Sequence, residues 1–235
     1  MSSSRQSTPS ASHSLQDLLA ISIWACNLSD AQLTRVRAET FERDIPAGGY
    51  ACRKGEPVEH WVGVAAGLLK LSTDSLEGKT ATLTGIAAGG WFGEGSLLRT
   101  EARRYDAVAL RDSKVAMMPR ATFTWLLGSS ISFNRFLLDQ LNERLGQFIG
   151  MVENERLRSP EARIARCVGM LFNAHLQPSV QTRMRLSQEE IGYLSGVSRQ
   201  RANQALRILA AAKLVRREYG GITVLDVEGL RNYGG

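Results

Sequence analysis

Cysteine and histidine are scarce in this chain of 235 residues, and their placement counts against metal and redox sites. The three cysteines, Cys26, Cys52 and Cys167, lie far apart, and no Cys-x-x-Cys pair is present to hold zinc or an iron–sulfur cluster. The three histidines are equally scattered. We therefore predict no metal site, no haem, and reduced thiols without a chemical role.

Long apolar runs are also missing, and no stretch of 18 apolar residues exists to span a membrane. Residues 1–14 are rich in serine and lack the apolar stretch of a signal peptide, so we expect a flexible tail on a cytoplasmic protein. Glu94 and Arg104 are the one polar pair worth considering for catalysis, and no nucleophile–base set accompanies them. We predict no catalytic residues and no enzyme activity.

Positive charge is present in excess and is concentrated towards the C-terminus. The formal net charge is +6, and the segment from Pro160 to Gly235 holds 11 Lys and Arg residues against 6 Asp and Glu residues. A basic C-terminal segment favours a polyanionic partner such as nucleic acid.

The middle of the chain has the pattern of a small β domain. Short helices are predicted between Leu15 and Leu33, with a cap at Ser29-Asp30. From Phe41 to Met118, short apolar runs alternate with glycine or charged turns, which is typical of an antiparallel barrel or sandwich, and Pro119 ends the pattern. We assign residues 15–130 to this domain.

A long helix is predicted over residues 131–158, because this stretch has helical periodicity and no proline. Its apolar residues recur at steps of 3, 4, 3 and 4, the seam of a two-stranded coiled coil, which predicts a homodimer. The alternative is that the stripe packs on the chain's own β domain. The predicted dimer contacts are Leu138, Leu141, Leu145, Phe148 and Val152. Ser159-Pro160 then breaks the helix.

Residues 159–235 form the third predicted domain, which contains a helix-turn-helix. Ser187 and Glu190 have capping-box spacing, Gly196 supplies a tight turn, and Ser198 caps a second helix. A β wing follows, with one strand at Lys213–Tyr219, a turn at Gly220-Gly221 and a return strand from Ile222.

The outer face of the second helix is suited to reading bases. From Ser198 to Lys213 there are four basic residues and no acidic one, whereas a solvated face would usually alternate both signs. Arginine, glutamine and asparagine pair with guanine and adenine edges in the major groove. Arg216 and Arg217 on the wing are placed to contact phosphates, which adds affinity without base selection.

These motifs together resemble the Crp/Fnr superfamily of bacterial regulators. The resemblance rests on Gln188-Glu-Glu-Ile-Gly, on Gly196-Val-Ser-Arg, on Gly90-Trp-Phe-Gly-Glu-Gly-Ser-Leu-Leu, and on the coiled-coil pattern between them. It implies an α+β fold with an N-terminal cyclic-nucleotide-binding-like β-roll, a long dimerisation helix and a C-terminal winged helix-turn-helix. It places Arg199, Gln200 and Gln204 at the main base-reading positions. The full predicted DNA-binding set is Ser187, Gln188, Ser198, Arg199, Gln200, Arg201, Asn203, Gln204 and Arg207.

The resemblance also implies an effector site around the Gly90–Leu98 stretch. Glycines there let backbone N–H groups approach an anion, Arg104 stands at the phosphate-pairing position, and Glu94 stands at the ribose-hydroxyl position. The predicted effector contacts are Phe92, Gly93, Glu94, Gly95, Ser96, Arg104, Tyr105 and Phe148. Tyr105, Phe148 and Ile149 depart from the pattern of cyclic-AMP binders. The effector is therefore left open between a cyclic nucleotide, another small anionic molecule and no ligand at all.

The sequence thus predicts a homodimeric transcription regulator that binds a pseudo-palindromic operator in double-stranded DNA, with half-sites about 34 Å apart. RNA polymerase would be a further partner if the protein is an activator. The junction from Arg156 to Pro160 is the expected hinge for the response to an effector. The alternative is a cyclic-nucleotide-binding regulatory subunit that acts on a protein partner.

Overall fold

The computed structural model describes residues 14–74, 80–154, 159–178, 183–184, 186–219 and 221–234. The predicted tail, apart from Ser14, lies outside the described residues. Residues 155–158, which end the predicted long helix and include residues 156–158 of the predicted hinge, lie outside them as well, as does Gly220 of the wing turn.

Three short helices open the described chain: α1 (Leu15–Ile21), α2 (Ile23–Cys26) and α3 (Asp30–Glu39). Ser14 and Ser29 each begin a helix with a capping box. The serine hydroxyl accepts a hydrogen bond from the backbone N–H of the residue three positions on, and the side chain of that residue accepts one from the backbone N–H of the serine. The predicted cap at Ser29 is therefore confirmed.

Two four-stranded antiparallel sheets form the β domain, with the strand orders β1-β8-β3-β6 and β2-β7-β4-β5. Val62, Leu69, Ile86 and Phe92 are fully buried between the sheets. The elements in chain order are β1 (Phe41–Ile45), β2 (Tyr50–Cys52), β3 (His60–Ala66), β4 (Leu68–Asp74), β5 (Thr80–Ala87), β6 (Trp91–Phe92), α4 (Glu94–Arg99), β7 (Asp106–Ala109) and β8 (Ser113–Pro119).

A cluster of aromatic side chains packs the N-terminal helices against the β domain, together with the next two helices, α5 (Arg120–Ser129) and α6 (Ile131–Asn154). We call the two sheets of the β domain the roll. The ring of Trp24 lies 5.1 Å from that of Trp91 and 5.6 Å from that of Phe133, which is in the first turn of α6. The indole N–H of Trp91 donates to the hydroxyl of Ser22 at 2.8 Å. The start of α6 is therefore part of the β domain's core, while its second half extends beyond that core.

The C-terminal unit comprises α7 (Pro160–Met170), β9 (Arg183–Met184), α8 (Gln188–Ser195), α9 (Arg199–Ala211), β10 (Val215–Glu218), β11 (Gly221–Val224) and α10 (Val227–Arg231). The predicted capping box at Ser187 and Glu190 is present, and Gly196 closes α8 at a φ of +66°, a backbone conformation that glycine adopts without strain. The first wing strand is shorter than predicted. Lys213 has a φ of +60° and its N–H bonds to the carbonyl of Ala210, so it belongs to the turn that ends α9.

The C-terminal unit covers the free edge of β5. Gln177 is buried; its Oε1 accepts from the amide of Ala87 and its Nε2 donates to the carbonyl of Gly85, both at 3.0 Å. A side chain on Gly85 would approach Leu171 and Leu194 to 2.9 Å, so glycine permits this close contact. Covering the edge satisfies strand groups that would otherwise be open to pairing with another chain.

Candidate nucleic-acid interface and ligand cavity

Helix α9 presents one buried face and one polar face. Ser198 begins the helix by accepting a hydrogen bond from the amide of Arg201, while Ala202, Leu206 and Leu209 are buried against α7 and α8. Among the predicted DNA contacts on this helix, only Asn203 is half-buried. The exposed ones are Arg199, Gln200, Arg201, Gln204 and Arg207. These cationic and amide side chains form a surface without a carboxylate, since α9 contains no Asp or Glu.

The start of α8 adjoins this surface. Ser187 is exposed and Gln188 half-buried at the helix N-terminus, where backbone N–H groups favour anions. A surface depression of about 340 Å³ separates these two residues from Arg199 and from Arg217 on the wing. The arrangement therefore brings α8, α9 and the wing to one concave surface, which Glu189 and Glu218 line together with the two arginines.

The two wing arginines have different partners. Arg216 lies against Glu218 on its own strand, with 3.2 Å between its Nη2 and Oε1. Arg217 donates from Nη2 to Oδ1 of Asn203 on α9 at 3.0 Å. Of these two arginines, Arg217 is the one that contacts the helix with the predicted base-reading side chains.

A cavity of about 490 Å³ lies where the roll, α6 and α7 meet. Its walls are mostly apolar, with Leu71, Leu83, Leu141, Leu145, Phe148 and Met170 among the lining residues. The predicted effector residues that line it are Gly93, Glu94, Gly95, Ser96, Arg104, Tyr105 and Phe148. Phe92 was wrongly assigned to this lining: it is fully buried in the roll, because its strand position turns it inward between the sheets.

Glu94 carries the main polar contact inside the cavity. Its Oε1 accepts from Nε of Arg144 on α6 at 2.6 Å, and Arg144 also donates to the carbonyl of Trp91. Glu94 is 2% exposed, and its Oε2 has no hydrogen-bond partner among the described residues. A donor group on a ligand would satisfy this oxygen. The sequence prediction missed Arg144, since only the packing of α6 on the roll brings it to Glu94.

Gly93 shapes the turn before α4, with a φ of +96°. A side chain at this position would clash with the guanidinium of Arg103, which lies directly behind it. Arg103 is 4% exposed; its Nη2 donates to the carbonyl of His60 at 2.6 Å, and its Nη1 has no partner among the described residues. Arg103 was also missed, and its buried orphan donor makes it a second candidate for pairing with an anion.

Arg104 lies at the exposed rim of the cavity. It pairs with Glu101, which also accepts from Nε of Arg99 at 2.7 Å. These hydrogen bonds, first from Arg104 and then from Arg99, lower the pKa of Glu101. In the cavity wall, desolvation raises the pKa of the Tyr105 phenol, and the charge of Glu94 acts in the same direction. Tyr105 is therefore a neutral hydroxyl at any ordinary pH.

Helix α6 exposes an apolar stripe from Leu138 onwards. Leu138, Leu145, Phe148 and Val152 are between 48% and 67% exposed, as expected of a seam without its partner. Leu141 differs from the expected seam because it is half-buried. Leu145 and Phe148 also line the cavity but stay exposed, and Ile149 is exposed beside Phe148. In a straight helix with 3.6 residues per turn, positions 141 and 148 lie to one side of the line through 138, 145 and 152, and both line the cavity.

Among the described residues, no cluster of three or more His, Cys, Asp or Glu is arranged to hold a metal ion. Within those same ranges, no helix is long and apolar enough to cross a bilayer.

Comparison with known proteins matches both halves of the chain. Residues 42–130 match the family model of the cyclic nucleotide-binding domain, and residues 162–233 match that of the Crp-like helix-turn-helix domain. The chain is 30% identical over 165 residues to the cyclic AMP receptor protein of Thermus thermophilus, covering 69% of this chain and 74% of that protein. It is 26% identical to the cAMP-activated global transcriptional regulator CRP of Haemophilus influenzae over 72% of this chain and 77% of the relative.

Solved structures agree on the fold. FixK2 from Bradyrhizobium japonicum superposes with a TM-score of 0.65 at 18% identity, over 83% of this chain and 98% of FixK2. The match to a helix-turn-helix domain favours DNA over the protein partner of a regulatory subunit. With a cyclic nucleotide-binding domain followed by a Crp-like DNA-binding domain, the chain belongs to the Crp/Fnr family of transcription regulators.

Proposed function

We propose that this regulator acts in the cytoplasm as a homodimer, binds a pseudo-palindromic operator through α9, and responds to a small anionic ligand in the cavity. The observation that carries the proposal is the polar face of α9, which exposes Arg199, Gln200 and Gln204 and contains no carboxylate. These are the side-chain types that read purine edges in the major groove. Residues at the start of α8 and on the wing would hold the phosphates on either side.

The apolar stripe on α6 supports the homodimer. Exposed leucine, phenylalanine and valine side chains in a continuous line are uncommon on a surface that faces only water. Pairing this stripe with its copy buries it in an isologous interface. Two-fold symmetry would then place two copies of α9 about 34 Å apart, in successive major grooves.

The cavity suits an anion with a hydrogen-bond donor. Gly95 leaves the backbone open to close approach, Arg104 lines the cavity and Arg103 packs against Gly93, and the free Oε2 of Glu94 would accept a hydroxyl. A cyclic nucleotide has both groups, and the names of the Thermus and Haemophilus relatives refer to cyclic AMP. Phe148 lines the cavity with an apolar ring that has no hydrogen-bonding group for a purine edge, so other small anions stay among the candidates.

A ligand in this cavity would contact the DNA-binding domain directly. Met170, the last residue of α7, lines the cavity, and its carbonyl accepts from Nε2 of Gln147 on α6 at 3.4 Å. Ligand binding alters DNA binding only if its affinity differs between two arrangements of these helices. The hinge predicted at residues 156–160 stays a prediction. If the protein is an activator, RNA polymerase is its further partner.

In vitro selection from random duplex DNA tests the proposal. The purified protein should enrich a two-fold symmetric sequence, with half-sites about one helical turn apart. Recovery of unenriched sequence would contradict it. Calorimetry with cyclic AMP and, separately, inorganic phosphate then tests the cavity. Saturable heat that disappears in Arg104→Ala supports the anion site, and equal heat in that variant removes Arg104 from it.

A further inference from the structure

The wing arginine Arg217 is placed differently from its neighbour Arg216. Successive residues on a strand face opposite sides of the sheet, so the two arginines point apart. Arg216 lies on the side of Glu218, whose Oε1 also accepts from the hydroxyl of Thr223 at 2.6 Å. Arg217 lies on the side of α9 and donates to Oδ1 of Asn203.

Asn203 shares a helical stripe with the predicted base contacts. It follows Arg199 by four residues and precedes Arg207 by four, and residues at this spacing are neighbours on a helix surface. It is half-buried because the wing covers its side, whereas Arg199 and Arg207 are exposed. Asn203 therefore lies between the wing and the surface of α9 that faces the major groove.

The hydrogen bond sets the direction of the Asn203 amide. An asparagine amide has an acceptor oxygen on one side and an NH₂ donor on the other, while a guanidinium has donors only. Arg217 therefore holds the oxygen towards the wing, which leaves the NH₂ group on the open side. A free asparagine pairs with adenine through both groups at once, and that pairing requires the oxygen to turn towards the base.

We infer that Arg217 is a positioning residue for base selection, which presents Asn203 to the major groove as a hydrogen-bond donor. Guanine offers two acceptors, N7 and O6, on its major-groove edge, so Asn203 selects guanine at its operator position. Without Arg217 the amide turns freely and accepts adenine as well. The role goes beyond a phosphate contact, and it rests on the proposed use of α9 as the base-reading helix.

In vitro selection followed by sequencing, with the full-length protein and four variants, tests the inference. Asn203→Ala identifies the operator position that Asn203 reads, because the preference there is lost. Arg217→Ala should lower the guanine preference at that same position about three- to tenfold, the effect of one net hydrogen bond, and leave the other positions unchanged. Arg216→Ala is the matched control and should weaken binding to all sequences alike.

Arg217→Lys separates charge from geometry. Lysine keeps the positive charge, but its side chain ends one bond short of the Nη2 atom that bonds Asn203, so it should restore salt-dependent affinity without restoring the guanine preference. Three results would overturn the inference. The first is full rescue of the guanine preference by lysine, and the second is weaker binding of Arg217→Ala to all sequences alike. The third is a loss of preference in Arg217→Ala at a different operator position from the one that Asn203→Ala identifies. A wild-type protein without any sequence preference would instead overturn the proposed function itself.

Discussion

Arg144 on α6 and Glu94 on α4 form an ion pair inside the cavity, with 2.6 Å between Nε and Oε1. The side chains are 15% and 3% exposed, so both charges are largely withdrawn from water. The pair links the proposed dimer helix to the turn that would hold an anion. A ligand hydroxyl bound to Glu94 would thus lie beside a cation from α6.

Replacing Arg144 with Met should lower the free energy of unfolding by about 3–5 kcal/mol, because it leaves the Glu94 carboxylate buried without its cation. The double variant Glu94→Gln with Arg144→Met should regain most of the loss. Urea denaturation measures both. Arg99→Met, at the exposed rim, is the control and should cost under about 1 kcal/mol. If Arg144→Met and Arg99→Met lower the free energy of unfolding equally, the buried ion pair stabilises the protein no more than the exposed one does.

Replacing Gln177 with Ala should loosen the contact between the C-terminal unit and β5. The Ala87 amide loses its acceptor and the Gly85 carbonyl loses its donor, at a cost of about 1–3 kcal/mol for each group left unpaired. Hydrogen exchange of the Ala87 amide reports this directly and should become faster. Hydrogen exchange of the Leu69 amide, on an interior strand of the same sheet, should change less. Unchanged protection at Ala87 would contradict the assigned contact.

Replacing Leu145 with Glu should convert the protein to monomers, since a charge in the centre of the apolar seam would be buried against its own copy. Multi-angle light scattering measures the mass. Leu225→Glu makes the same chemical change at another exposed leucine, in the C-terminal unit, and should leave the dimer intact. A dimer mass for Leu145→Glu would remove the stripe on α6 as the interface.

The thiols should react unequally with an alkylating reagent at pH 8. Burial raises the pKa of Cys167 to about 12 and also raises that of Cys52, because desolvation disfavours the thiolate. Cys26 is exposed and should react first. Raising the pH towards 10 should leave Cys167 slow while the protein stays folded. Mass spectrometry of digested samples identifies the modified thiol. Labelling of the half-buried Cys167 as early as Cys26 would contradict its raised pKa.

Local chemistry explains which features the sequence could predict. Capping at Ser29, Ser187 and Ser198 and the turn at Gly196 depend on residues within three or four positions of each other, so their spacing is visible in the sequence. Arg103 and Arg144 were missed because their roles depend on side-chain direction and on the packing of distant elements. Phe92 was misassigned for the same reason, since its neighbours Gly93 and Glu94 line the cavity while its ring faces the core.

Gln177 bonds to residues of β5 that lie about 90 positions earlier in the chain, so no local sequence pattern predicts this contact. Leu141 shows a related limit. Its heptad position predicted the seam, but the roll already occupies one side of α6 and takes Leu141 into the cavity.

Arg199 provides the most direct test of the account, because base reading by α9 is its central claim. Fluorescence anisotropy should compare wild type and Arg199→Ala on the selected operator and on a scrambled duplex at the same salt concentration. We expect specific binding to weaken by about 1–3 kcal/mol more than non-specific binding does. An unchanged ratio of specific to non-specific affinity would contradict it.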